Sequence, residues 1–330
     1  MKIVQFDRTN AVSAISRMLT DNGHEVVNLS LITSFGYEHF YHMKTCDFFL
    51  NDGTFGSKHP KRVWKTETVN HKTAVMNHRN DIVNMFAKHY GKKVIQLESA
   101  TLSRMKCNYV NKFYKEIRPI FYRMALGHWV HSQAKWCAPI TGRLEHVVSL
   151  IENKNDFKFE NIFEHRWKNN KQGAVVILPG VEDDPTSSIP VDKFVADAVA
   201  AIRKHSKRKI IIKAHPHSLL TYDDINGRDI EIIMGTSKIT DLATDLYCAV
   251  LDSSTSIFEL VELGIPTITT KHSFGSLLGN TDISKIENLY YASSADVKKW
   301  FERMASTEFT LDEFADADVI LPRIKELLDV

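Results

Sequence analysis

Residues 209–217 read KIIIKAHPH, an apolar run followed at once by basic side chains and a proline. Consecutive isoleucines are typical of a buried strand of a parallel sheet, which is apolar on both faces. Lys213 and His215 then stand at the carboxyl end of that strand, and Pro216 fixes the turn that follows. Both side chains can donate hydrogen bonds to a phosphate group. The segment therefore predicts an α/β fold with an anion-binding loop at a strand end.

A second segment of the same kind, LDSSTSIFEL, occupies residues 251–260. It reads as a strand that runs into a hydroxyl-rich helix start. Ser253, Ser254 or Thr255 can cap this helix while neighbouring hydroxyls and free amides meet a phosphate. Glu259 follows about one turn later, where a carboxylate can accept hydrogen bonds from ribose hydroxyls. Ligands of open parallel sheets bind outside the carboxyl ends of the strands, so we expect both segments at one edge of one sheet.

A third loop, residues 179–188, follows another predicted strand and is long enough to fold over a ligand. Each segment also has a purely structural interpretation when taken singly. His215 could cap a strand, and the serines could cap a helix that carries a surface Glu259. The combination of three polar loops at one sheet edge favours a phosphate-binding site.

The wider pattern alternates strands and helices on both sides of a polar stretch at residues 153–172. It predicts two Rossmann-like domains, residues 1–155 and 156–330. The first domain is predicted to contain strand Lys2–Phe6, helix Asn10–Asn22, and strands Glu25–Leu29, Cys46–Leu50, Thr73–Met76 and Lys93–Leu97. The second is predicted to contain strand Ala174–Leu178, helix Val191–His205, strands Lys209–Lys213, Glu231–Met234 and Cys248–Leu251, helix Ser256–Leu263, strand Thr267–Thr270, and helices Ala295–Met304 and Leu311–Leu328.

Composition excludes several classes of protein. The chain has 330 residues, of which 43% are hydrophobic, enough for two cores. Its 42 basic and 40 acidic residues give a net charge of only +2, so bulk charge indicates neither a nucleic-acid nor a membrane partner. With no apolar run long enough for a membrane span and no signal-peptide pattern, we expect a cytoplasmic protein. Four dispersed cysteines, Cys46, Cys107, Cys137 and Cys248, predict buried thiols rather than disulfides or a metal site.

The motifs together resemble a known group of enzymes. Lys-x-His-Pro after a strand, then Asp-Ser-Ser-x-Ser-x-x-x-Glu, then Leu-Gly-Ile-Pro-Thr-Ile is similar to the C-terminal domain of capsule-polysaccharide-type glycosyltransferases, including the Kdo transferases. The resemblance implies a GT-B fold, in which two Rossmann-like domains face each other across a cleft. It also implies a UDP- or CMP-linked sugar as the donor and no tightly bound cofactor. The nucleotide contacts that it implies come from His215, Pro216, Ser253, Ser254 and Glu259, and Lys213 and Thr255 complete the predicted set.

The catalytic base is predicted in the first domain. The segment VIQLESATLSR, which begins at Val94, looks similar to the family segment Glu-(acidic or Gly)-Gly-aromatic-Leu-Arg. Glu98 and Arg104 match, whereas the two positions after Glu98 carry Ser and Ala and depart from the pattern. Glu98 is the first candidate base and Asp52, in a turn after an apolar strand, is the second. Each could instead be an ordinary cap or turn residue.

Two basic and aromatic stretches mark a candidate acceptor surface. The first is KHPKRVWK at Lys58–Lys65, and the second extends over Arg104–Arg123, where an amphipathic helix is the alternative interpretation. Basic side chains can follow a phosphate backbone while aromatic rings stack on a displaced base. The predicted nucleic-acid contacts are Lys58, Lys61, Arg62, Lys65 and Arg104.

Three functions are compatible with this pattern. The leading hypothesis is sugar transfer onto a hydroxymethylated base, 5-hydroxymethylcytosine, in double-stranded phage DNA, which would place the enzyme in the host cytoplasm. It resembles the phage enzymes of this kind only in size and two-domain plan. The second is a capsule or lipopolysaccharide glycosyltransferase of the Kdo type with a CMP-linked donor. The third is a non-catalytic protein that binds DNA or senses sugar nucleotides.

Overall fold

A computed structural model of the chain describes all residues except 7–9, 30–35, 53–78, 100–101, 103–120, 127–133, 155–157, 160, 181–188, 217, 219, 226, 236 and 253. The predicted strand Thr73–Met76 lies outside the described residues. The described strands are β1 (Lys2–Phe6), β2 (Glu25–Leu29), β3 (Phe48–Asp52), β4 (Lys93–Ser99), β5 (Tyr122–Leu126), β6 (Lys135–Trp136), β7 (Ala174–Leu178), β8 (Ile210–Lys213), β9 (Ile230–Ile233), β10 (Leu246–Leu251), β11 (Thr267–Thr269) and β12 (Glu308–Phe309). The described helices are α1 (Asn10–Asp21), α2 (Tyr37–Thr45), α3 (Arg79–Tyr90), α4 (Arg143–Lys154), α5 (Val191–His205), α6 (Ser256–Glu262), α7 (Ser294–Ala305), α8 (Leu311–Phe314) and α9 (Ala317–Leu328).

The chain divides into two compact units. Unit 1 is formed by residues of Met1–Trp129, Ala134–Asp156 and Arg303–Val330, and unit 2 by residues of Phe157–Glu302. The chain thus passes from unit 1 to unit 2 after residue 156, next to the predicted domain boundary between residues 155 and 156. The prediction that the second domain continues to residue 330 is wrong, because the chain returns to unit 1 at Arg303.

The sheet of unit 1 is mixed rather than purely parallel. Its order is β12-β5-β4-β3-β1-β2, and β6 also pairs with β5. Strands β1 to β4 are parallel, as the opening βαβ pattern predicts, whereas β5 runs antiparallel to its neighbours β4, β6 and β12. The parallel part has the order 2-1-3-4, which is that of a flavodoxin-like sheet. Its topological switch point therefore lies between β1 and β3.

The sheet of unit 2 has the Rossmann topology that the sequence predicts. Its five strands are all parallel and have the order β11-β10-β7-β8-β9. Counted from β7, this is the order 5-4-1-2-3, the same as 3-2-1-4-5 viewed from the other side. The chain leaves β7 in one direction toward β8 and returns on the other side with β10. The switch point of unit 2 therefore lies between β7 and β10.

Helix α5 shows why this sheet forms from this sequence. Its buried residues recur at helical spacing and pack on one face of the sheet, against isoleucines of β8 and valines of β7 and β10. The buried positions are Val191, Phe194, Val195, Ala198 and Ile202. Full burial of a Val, Ile or Phe side chain contributes about 1.5–3 kcal/mol. The bounds of α5 match the predicted helix at both ends.

The C-terminal segment supplies an edge strand and a helix to unit 1. Strand β12 pairs antiparallel with β5, and Ile320, Ile324 and Leu327 of α9 join the core that contains Val12 of α1. The predicted single helix Leu311–Leu328 is two helices, because Asp316 ends the first and caps the second by accepting a hydrogen bond from the Asp318 amide. An amphipathic pattern predicts that a helix face is buried but not which sheet it covers.

Gly264 is a position where the fold requires glycine, and its replacement by alanine is expected to destabilise the chain more than the same change at Gly23. Both glycines have a left-handed backbone, with φ of +73° and +75°, which costs other residues about 1–2 kcal/mol. Only at Gly264 would an added Cβ overlap backbone, the carbonyl oxygen of Arg166. Urea denaturation of the two variants measures the difference, and equal losses would contradict the close-approach argument.

Three of the predicted thiols are buried and free, namely Cys46, Cys137 and Cys248. Burial raises the pKa of Cys46 to about 11 and that of Cys137 to about 12, so neither is a reactive thiolate. Cys107 lies outside the described residues. Within the part of the chain that the structure describes, no helix combines the length and apolarity that crossing a bilayer requires.

Candidate functional site

The polar loops predicted to converge in unit 2 follow neighbouring strands at one edge of its sheet. Leu178, Lys213 and Leu251 end β7, β8 and β10, and these three strands are adjacent and parallel. Their carboxyl ends consequently lie side by side around the switch point. This placement confirms that the segments at residues 213–216 and 251–256 share one edge of one sheet.

Lys213 is the most unusual side chain at this edge. It is only 8% exposed, yet among the described residues its ammonium group takes part in no hydrogen bond or ion pair. Burial lowers the pKa of Lys213, and the carboxylates of Glu259 and Asp241 act in the opposite direction without cancelling the shift. A buried cation without a direct partner is costly. An anion that binds here would supply the missing partner.

Residues after Lys213 form the turn that the proline predicts. Ala214 is buried, His215 is half-buried and Pro216 is exposed in a turn. The carbonyl of His215 accepts a hydrogen bond of 2.8 Å from the amide of Ser218, which closes the turn. His215 thus lies next to the end of β8.

The helix start after β10 is built differently from the predicted cap. Helix α6 begins at Ser256 and is seven residues long, and Thr255 occupies the cap position without a side-chain cap bond. The hydroxyl of Ser254 instead accepts a hydrogen bond of 3.3 Å from the Ser256 amide. Glu259 is half-buried in the first turn of α6. Its carboxylate acts to raise the pKa of Lys213, against the larger effect of burial.

A cavity of about 230 Å³ lies on the α5 face of the sheet, beside the ends of β10 and β11. Apolar side chains line most of it, and Asp197, Thr269, Thr270 and Thr281 add polar groups. The hydroxyl of Thr269 is buried and has no hydrogen-bond partner among the described residues. Thr270 donates a hydrogen bond to the buried carboxylate of Asp252, which ties the ends of the two strands together. Such a lining suits the face of a ring better than a charged phosphate.

The two candidate bases end neighbouring strands of unit 1. Asp52 is the last residue of β3 and is paired in register with Leu97, directly before Glu98. The Glu98 carboxylate is largely buried and lies 2.8 Å from the guanidinium of Arg123 on β5. Both candidates thus stand at the carboxyl edge of the parallel strands. The ion pair fixes the orientation of the Glu98 side chain.

Some predicted site residues lie outside the described part of the chain. These are Ser253 of the donor site and all five predicted nucleic-acid contacts, Lys58, Lys61, Arg62, Lys65 and Arg104. The side chain of Asp52 belongs with them, although its backbone is described as the end of β3. Their roles remain predictions.

The structure adds a residue that the sequence pattern did not single out. Asp241 lies in a short 3₁₀ turn, Ile239–Leu242, and acts on Lys213 together with Glu259. Arg123, predicted as the end of the basic and aromatic acceptor stretch, is instead buried in β5, in register with acidic residues of both neighbouring strands. Its place on that surface is therefore wrong, because the partners that bury it are distant in sequence. Among the described residues, no three His, Cys, Asp or Glu side chains form a group suited to a metal ion.

Comparison with known proteins finds likeness only in three dimensions. No family model and no curated protein matches the chain. Thermosulfurimonas dismutans KpsC, a β-Kdo 2,4 transferase, is similar over 93% of this chain and 90% of that one, with 14% identity and a TM-score of 0.51. A β-Kdo 2,7 transferase of KpsC from the same organism is similar over 98% of this chain and 100% of that one, with 15% identity and a TM-score of 0.50. At this identity the likeness concerns the fold, and it agrees with the predicted GT-B class of two Rossmann-like domains.

Proposed function

We propose that this chain is a glycosyltransferase that uses a nucleotide-activated sugar, and that the carboxyl edge of the unit 2 sheet holds the phosphate of the donor. The observation that carries the proposal is Lys213, a largely buried lysine at the carboxyl end of β8 whose ammonium group has no direct partner among the described residues. The phosphate of the nucleotide sugar would pair with this ammonium group. His215 and Ser254 stand at the same edge and can add hydrogen bonds.

We place the remaining contacts to the nucleotide sugar at the same edge of the unit 2 sheet. Glu259 is close enough to Lys213 to influence its pKa and can accept hydrogen bonds from ribose hydroxyls. Ser253, Thr255 and Pro216 complete the proposed set. A cation that meets the leaving phosphate stabilises the charge that develops as the sugar departs, so the reaction needs no metal held by these residues.

The transfer step assigns one role to each unit. The acceptor oxygen forms a bond to the anomeric carbon while the bond between that carbon and the phosphate oxygen breaks. The electron pair of the broken bond stays with the nucleotide phosphate, beside Lys213. A carboxylate of unit 1 takes the proton of the acceptor hydroxyl, and we propose Glu98 first and Asp52 second for this role.

For the acceptor, we propose a saccharide and a CMP-linked donor of the Kdo type. The similar structures are described as β-Kdo transferases and match nearly the whole length of this chain. Hydroxymethylated double-stranded DNA is the second candidate. It is favoured by the basic and aromatic sequence at Lys58–Lys65, which lies outside the described residues.

A donor and acceptor panel tests the proposal. The purified chain is incubated with CMP-Kdo, UDP-glucose and UDP-N-acetylglucosamine, each with a Kdo-containing oligosaccharide or with DNA that contains 5-hydroxymethylcytosine. We expect nucleotide release and a product larger by one sugar with CMP-Kdo and the oligosaccharide. Product with UDP-glucose and DNA would favour the second candidate. Absence of nucleotide binding and of turnover with every pair would refute the glycosyltransferase proposal.

A further inference from the structure

Helix α2 turns an aromatic face toward solvent. Tyr37, Phe40, Tyr41 and Lys44 are spaced at i, i+3, i+4 and i+7, so they lie on one side of the helix. Tyr37 is 87% exposed and Tyr41 is 50% exposed. The residue of α2 that is buried in the core of unit 1 is Met43, on another side of the helix.

Helix α3 packs against α2 and also exposes side chains. Met85 is 58% exposed, and Lys88 and His89 follow it at i+3 and i+4, also exposed. The rings of Phe40 and Phe86 lie 6.1 Å apart, which joins the two helices. We call the exposed residues Tyr37, Phe40, Tyr41, Lys44, Met85, Lys88 and His89 the α2–α3 surface.

The arrangement is the reverse of an ordinary surface helix, which buries its apolar stripe. Single exposed apolar residues need no explanation, but a contiguous group on two packed helices marks an interaction site. The charges on this surface are mainly positive. Lys44 and Lys88 are exposed, and Glu38, the acidic residue of α2, lies 3.7 Å from His42. A fitting partner is therefore apolar in part and negatively charged.

We propose that the α2–α3 surface binds the headgroup region of an anionic lipid bilayer. Tyrosine rings combine an apolar body with a polar hydroxyl and favour the membrane interface. Lysines beside them attract anionic headgroups. Moving the exposed Phe40 and Met85 side chains from water into hydrocarbon lowers their free energy. Neither side chain can form a hydrogen bond with a nucleic-acid base. A single-stranded nucleic acid, which also uses aromatic and basic groups, is bound in a positively charged groove rather than by two lysines on the outer side of helices.

Vesicle sedimentation tests this surface directly. The full chain is mixed with vesicles of phosphatidylcholine alone or with phosphatidylglycerol added. We expect binding to the anionic vesicles that weakens as salt is raised. The variant Tyr37→Ser/Phe40→Ser/Tyr41→Ser is expected to bind at least about tenfold more weakly, since it loses the inserted apolar groups.

A second variant separates charge from apolar contact. Lys44→Gln/Lys88→Gln keeps the rings and is expected to lose about fivefold in affinity per lysine for anionic vesicles. Tyr290→Ser is the matched control, because Tyr290 is 56% exposed but belongs to unit 2. Circular dichroism and thermal unfolding confirm that each variant is folded.

Three results would overturn the proposal. They are absence of binding to anionic vesicles, equal binding by the triple-serine variant and the parent chain, and binding of single-stranded DNA in place of vesicles with loss in the same variant. Nucleotide binding by unit 2 is measured in parallel. Vesicle binding and donor binding are separate readouts, so failure of one proposal leaves the other testable.

Discussion

Lys213→Met is expected to leave the fold intact, or to stabilise it by about 1 kcal/mol, while it weakens the binding of CMP or UDP by about 10²-fold. The two effects have one cause. Lys213 is largely buried and its ammonium group has no direct partner in the described part of the chain, so methionine of similar length removes a desolvation cost from the free protein. The same change removes the cation that the donor phosphate would meet. Urea denaturation and calorimetric nucleotide titration measure the two effects on one sample.

The stability difference should also depend on pH. Because burial lowers the pKa of Lys213 in the folded chain, the unfolded chain binds this proton more tightly. At pH values below the folded pKa both states are charged and the full cost is present. As pH rises through the folded pKa toward the ordinary lysine value, the parent chain regains stability and the advantage of the methionine variant disappears.

A matched control is available four residues earlier, directly before β8. Lys209 is exposed and lies 2.6 Å from Glu231 on the surface, so Lys209→Met removes a lysine without touching the site. We expect it to change stability by about 0.5 kcal/mol or less and to leave nucleotide binding unchanged. If Lys213→Met instead destabilised the chain by several kcal/mol and bound nucleotide normally, Lys213 would be a structural residue.

The sequence predicts unit 2 well because local pattern and tertiary packing agree there. Strand β8 is apolar up to Lys213 and has a neighbouring strand on each side, and α5 has a clear apolar stripe that the sheet covers. Lys213 was found because it interrupts an apolar strand at its carboxyl end. Parallel order then fixes which loops meet, since strand ends of one sheet share an edge.

Several features of unit 1 cannot be predicted from local sequence patterns. Periodicity identifies β4 as a strand but does not reveal that β5 runs antiparallel beside it. The return of residues 303–330 depends on which core buries the face of α9, and both units have a core of apolar residues. The ion pair between Glu98 and Arg123 links β4 to β5, and no local sequence pattern indicates it.

Arg123 links two strands of unit 1 by an ion pair and lies beside an acidic residue of a third. Its side chain is only 2% exposed and stands in register between Glu98 of β4 and Glu308 of β12. The guanidinium lies 2.8 Å from the Glu98 carboxylate. Glu308 is fully buried, and its Oε1 accepts a hydrogen bond of 3.1 Å from the amide of Leu102. The arginine therefore pairs with the largely buried Glu98 carboxylate and lies in register beside the buried Glu308.

Arg123→Met should accordingly lower the free energy of unfolding by about 3–5 kcal/mol, because it leaves buried carboxylates without their cation. Guanidinium denaturation measures the loss, and Arg203→Met is the control, since the Arg203–Asp229 pair is partly exposed and is expected to contribute about 1 kcal/mol or less. If repulsion between buried carboxylates is the cause, adding Glu308→Gln to Arg123→Met restores part of the stability. A loss no larger than that of Arg203→Met, or no recovery in the double variant, would mean that pairing of β12 with β5 does not depend on the charge of Arg123.

Hydrogen exchange at the β12 amides shows whether this pairing depends on that charge. If it does, β12 should lose protection in Arg123→Met before the rest of the sheet does.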